Sequence, residues 1–102
     1  MTVHDFVVTN ITMKIEFDQA KRDKTLSERG LDFADAAKVF SGYCFNAIDV
    51  RFDNGEERVI SVGVLALRVV VVVWTPRTNV RRIISMRYAN EREASKYKQQ
   101  LG

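Results

Sequence analysis

The chain has 102 residues, 46% of them hydrophobic and 28% charged, with one Cys, one His and a formal net charge of +3. This composition fits one globular domain with its own core and excludes a disordered chain or a disulfide scaffold, since Cys44 has no partner for an internal bridge. No stretch approaches the ~18 apolar residues of a membrane span and no secretory leader is evident, so a reducing cytoplasm is the expected compartment.

Residues 1–12 share little with the rest of the chain and are expected to be an N-terminal extension to a single domain over 13–102. "MKIEF" (13–17) alternates Lys14 and Glu16 with Met13, Ile15 and Phe17, the pattern of a strand. Asp18 is placed as the N-cap of a helix through Arg29, with Gly30 as its stop. Asp32 caps a second, shorter helix in which Phe33, Ala36, Ala37 and Phe40 recur at helical spacing. Strands are then expected over 45–52, 57–65, 68–75 and 80–88. Turns at 53–56 and 76–79 separate them, with Pro76 closing the third of these strands. The valine run from Val69 to Val73 marks a central strand buried on both faces. Helix formers over 89–100 close the chain. The order β-α-α-β-β-β-β-α predicts an α+β domain, an antiparallel sheet with helices packed mainly on one face.

Charge is unevenly spread. Residues 1–76 carry nine Lys/Arg against eleven Asp/Glu, a net of −2, whereas residues 77–102 carry seven against two, a net of +5. Much of this lies in "TPRTNVRRIISMR" (75–87), where Arg77, Arg81, Arg82 and Arg87 fall within eleven residues. An anionic complement is implied: carboxylates of the same chain, a partner protein or a nucleic acid. An ordinary solvated face is the alternative reading.

Other chemistry has little to work with. The only His is His4, in the extension, and the only Cys is Cys44. No zinc site and no Ser/His or Cys/His nucleophile pair assembles from them. The glycines are scattered and form no phosphate loop. No cofactor and no metal is therefore expected. Arginine remains: its planar, permanently charged fork suits a phosphodiester and the charge that grows on it during cleavage. Strict alternation along 80–88 places Arg81, Ile83, Ser85 and Arg87 on one face and Arg82, Ile84, Met86 and Tyr88 on the other. A twist or bulge must intervene if Arg82 and Arg87 are to act together. The plainer alternative pairs Arg82 or Arg87 with Glu57, Glu91 or Glu93. Glu93 and Tyr97, four apart, are set to link the last helix to the sheet.

The segments 13–40, 55–63 and 69–97, in that order, resemble the BrnT family, toxins of type II toxin–antitoxin pairs. The most specific part is T-x-R…R-I-I-S-x-R-x-A-x-x-x-E-x-x-x-Y, here Thr75, Arg77, Arg82 to Ser85, Arg87, Ala89, Glu93 and Tyr97. The resemblance implies a RelE-like α+β fold and an endoribonuclease that cuts RNA and arrests growth. It implies an antitoxin partner, BrnA-like, with a ribbon-helix-helix region, and contact with operator DNA through the complex. The chain departs from the family at Arg29, where a His is usual, at Thr78-Asn79, usually Gly-Asp, and at Met86, usually Ala. Arg77, Arg82, Ser85 and Arg87 are the expected catalytic residues of a metal-independent nuclease. The alternative is a binding module without turnover, an antitoxin- or nucleic-acid-binding co-repressor.

Overall fold

Local capping signals set several of the helix boundaries. The computed structural model describes residues 14–49 and 56–101; the extension 1–12, Met13 and the expected strand and turn positions 50–55 lie outside them. β1 is Lys14–Phe17. The Asp18 carboxylate accepts the Lys21 N–H at 3.1 Å and starts α1, Gln19–Arg29. Gly30, at φ 72°, ends it and donates its N–H to the Leu26 carbonyl; that left-handed conformation is cheap only without a Cβ. Asp32 caps a single 3₁₀ turn, Phe33–Asp35, which runs into α2, Ala36–Ser41. Arg22 reaches across from α1 with a fork of 3.0 and 2.9 Å onto the same Asp32. Then come β2 (Phe45–Asp49), β3 (Arg58–Leu65), β4 (Arg68–Arg77), β5 (Val80–Tyr88) and α3 (Glu91–Leu101).

The five strands lie in the order β1-β5-β4-β3-β2. β2 to β5 form an antiparallel meander, but β1 runs parallel to β5, from Lys14↔Val80 to Phe17↔Ile83. The sheet is thus mixed, which corrects the expectation of an antiparallel one. Alternation in "MKIEF" marks a strand and carries no direction. Only a short hairpin enforces antiparallel pairing, and β1 is tied to the meander through α1 and α2 instead.

β4 is the spine: Val70, Val71 and Val72 are each 0% exposed. Its valines serve two cores by alternation. Val70, Val72 and Trp74 pack with Leu31, Phe33, Ala36 and Val39 of the first helical layer. Val71 packs with Val62 and Tyr97 under α3, on the opposite face. Two helices therefore cover one face and the third covers part of the other. Tyr97 also donates its hydroxyl to the Tyr43 carbonyl at 2.9 Å.

Strand β4 runs two residues further than the 68–75 expected. Pro76 pairs with Arg81 and Arg77 with Val80, so the β4–β5 turn is only Thr78-Asn79, with Asn79 at φ 57°. Pro76 lies beyond the end of the β3 ladder at Val59↔Trp74, where β4 is paired on one side only, a position at which proline is tolerated.

Candidate functional site

Residues opposite one another in a ladder share a face, so the β4–β5 register decides where the arginines go. Val71 faces Arg87 and Val73 faces Ser85, but the next pair is Trp74 with Ile83, then Thr75 with Arg82 and Arg77 with Val80. The ladder slips between Val73 and Trp74, and Ile84 is the extra residue. This bulge cancels the alternation. Arg82, Ser85 and Arg87 come to the α3 face of the sheet, and Arg77 joins them from β4, diagonal to Arg82. The four residues expected from sequence thus share one face. Arg81 alone goes to the other, under α2, where its guanidinium lies 4.3 Å from the Phe40 ring centre and 5.1 Å from that of Trp74. Burial pushes the Arg81 pKa below its ordinary value.

α3 shields only the β4-start end of this face, through Tyr97 over Val62 and Val71. Towards the β4–β5 turn the same face presents half-buried Arg82, Ser85 and Arg87 beside exposed Arg77. Beneath them, Thr75 is 3% exposed and its hydroxyl finds no hydrogen-bond partner among the described residues.

Each site arginine meets a carboxylate of its own chain. Arg77 pairs with Glu56 at 3.0 Å and Arg82 with Glu16, its neighbour on β1, at 3.1 Å. Arg87 forks onto Glu93 with bonds of 2.7 and 2.8 Å. That fork holds the Glu93 pKa down to about 2 and raises that of Arg87. Glu93 was one of three glutamates the sequence offered as partners for Arg82 or Arg87. Glu16 was not, because it lies 66 residues from Arg82 and meets it only through the parallel pairing.

Among the described residues, no three His, Cys, Asp or Glu side chains come together. No helix there is long and apolar enough to cross a membrane. What the face offers is a row of oriented guanidinium groups and a hydroxyl at an irregularity in an edge-proximal strand. Guanidinium groups are planar donors that match carboxylate and phosphate alike.

The chain is thus a small α+β domain with three arginines and a serine gathered on one face of a mixed sheet. The family model for the ribonuclease toxin BrnT of type II toxin–antitoxin systems matches residues 17–93, and the chain belongs to that family. Comparison with curated proteins gives no significant match. Ribonuclease toxin is accordingly the activity of the family, with RNA as substrate and an antitoxin as partner.

Proposed function

We propose that this protein is a metal-independent endoribonuclease that cuts RNA at the α3 face. In this reading the substrate's own 2′-hydroxyl attacks the adjacent phosphorus and the P–O5′ bond breaks, the departing 5′-oxygen taking a proton from solvent, so that a 2′,3′-cyclic phosphate and a 5′-hydroxyl result. Arg82 and Arg87 hold the non-bridging oxygens and stabilise the additional charge of the pentacoordinate state. Ser85, between them, orients a phosphate oxygen, and Arg77 positions the strand. The observation that carries the reading is the bulge at Ile84, which gathers these residues on one face.

The carboxylates divide the remaining work. Glu93, held at about 2 and engaged by Arg87, is a poor proton acceptor and serves to aim the guanidinium. With five N–H donors, Arg87 keeps donors free for phosphate after forking onto Glu93. Glu16 is exposed and one hydrogen bond from Arg82, and we assign it the proton of the attacking 2′-hydroxyl. A BrnA-like ribbon-helix-helix antitoxin would neutralise the toxin by covering this face, and the complex would reach operator DNA through the antitoxin.

Incubating purified protein with RNA in EDTA tests the proposal. Wild type is expected to cut and leave cyclic phosphate termini. Arg82→Ala and Arg87→Ala should each lower kcat by roughly 10²–10³, and Glu16→Gln by about 10². Full cleavage by both arginine variants would overturn the assignment. The pairs Arg77–Glu56, Arg82–Glu16 and Arg87–Glu93 favour a second reading, a binding module whose arginines are already satisfied. Under it, wild type shifts RNA in a gel and leaves it uncut.

A further inference from the structure

β1 pairs with β5 only as far as Ile83, so among the described residues β5 runs on from Ile84 to Tyr88 without a strand at that edge. A cleft of about 220 Å³ opens there, walled by α1 on one side and the bulge on the other. Lys21, Lys24, Thr25 and Glu28 line it from one stripe of α1, with Ile84 and Ser85 opposite and Arg29 at its end. Arg29 donates to the Met86 carbonyl at 2.8 Å and so fixes the end of α1 to the unpaired stretch of β5.

The charges of this cleft differ in kind from those of the α3 face. Arg77, Arg82 and Arg87 are each neutralised by a glutamate. Lys21 and Lys24 form no ion pair among the described residues, and Arg29 is bonded only to a carbonyl. Three cations against Glu28 leave the lining at a net of +2. An anion entering here displaces no intrachain carboxylate. Ser85 lines the cleft while its register with Val73 gives it to the α3 face, so this residue borders both regions.

We propose that this cleft is a subsite for a phosphate of the RNA strand flanking the scissile one, bound by Lys21, Lys24 and Arg29. The inference rests on the nuclease reading and adds to it a substrate path: the strand crosses β5 at the bulge, with one phosphate on each side. The half-exposed Ile84 provides an apolar wall for the attached sugar. The space is about that of seven waters, enough for a phosphodiester group and part of its ribose.

Binding separates this claim from catalysis. A 2′-O-methyl decamer RNA, which cannot be cut, would be titrated against wild type and the Lys21→Ala/Lys24→Ala double variant over a range of salt. The variant is expected to bind roughly tenfold more weakly. The slope of log K against log salt should shrink by about 0.7, the value for one phosphate contact on a single strand. Lys21→Arg/Lys24→Arg should restore both. With cleavable RNA, KM for a decamer should rise in the alanine variant with kcat unchanged, whereas a dinucleotide, too short to reach the cleft, should be cut as by wild type. Equal affinity and equal salt slope for the alanine variant would overturn the subsite even if wild type cleaves. Normal RNA binding with impaired antitoxin binding would also overturn it and assign the cleft to an acidic segment of that partner. If wild type cuts nothing, the nuclease reading fails on its own, while the binding comparison still decides the cleft.

Discussion

Glu93 shows how much one side chain can fix. It takes the Arg87 fork, accepts the Asn90 N–H at 3.0 Å, and donates its own N–H to the Asn90 side-chain oxygen at 2.8 Å. The last two bonds form a reciprocal cap at the start of α3. One residue thus begins a helix and aims an arginine. Its carboxylate, ordinarily near 4.5, is held down at about 2. A depressed carboxylate stabilises the fold above its unfolded pKa, and that contribution fades as pH falls from about 4.5 towards about 2. Glu93→Gln is expected to cost about 1–2 kcal/mol near neutrality, the pair being partly exposed. The gap between variant and wild type should narrow steadily on acidification. Urea unfolding at pH 7, 4 and 2.5 would measure it; a gap independent of pH would refute the linkage.

At the scale of elements, the two hairpin turns differ in quality. Thr78-Asn79 uses an Asn for its left-handed position, a residue that accepts it readily. The β3–β4 turn places Ala66 at φ 50° and Leu67 at φ 70°, and Leu67 is 96% exposed. Neither residue suits that backbone, and Leu67 buries nothing in return. Replacing Ala66-Leu67 by Asn-Gly is expected to stabilise the protein by about 1–2 kcal/mol, a thermal-melt increase of several degrees for a domain of this size. The β3–β2 side is less forgiving. A Cβ on Gly63 would stand 2.7 Å from Val39 Cγ1, and Gly63→Ala should lower stability by about 1–3 kcal/mol as α2 is pushed off the sheet.

For the whole molecule, most of the architecture was legible because it is written in local signals. Asp18, Gly30 and Asp32 marked helix ends, the valine run marked the spine, and Tyr97 marked the contact of α3. Two non-local features were not legible. The direction of β1 leaves no trace in its alternation. The bulge lies in "RRIISMR", where consecutive isoleucines carry no glycine or proline to announce an irregularity. The arginine cluster could therefore be named from sequence, but not assembled from it. Since β4 is shared by both cores, the two faces are expected to unfold together. Truncation after Asn90 removes Tyr97 and Glu93, and it should abolish the native circular dichroism rather than merely release a tail.

Trp74, the single tryptophan of the chain, stands at the rung where the ladder slips. It is 8% exposed, donates its indole N–H to the Ser61 hydroxyl at 2.8 Å and meets Phe40 edge-on. The chain's single indole thus stands at the irregularity that organises the arginine face. Its emission should be blue-shifted in the native protein and should redden when that rung opens. Arg77, Arg82 and Arg87 lie on the reverse side of the sheet, so a ligand held by them can alter the spectrum only by moving the backbone or Arg81, whose guanidinium is 5.1 Å from the Trp74 ring centre. A titration that leaves the light unchanged would mean a template already shaped for its guest; a titration that shifts it would mean a strand that re-registers as the guest arrives.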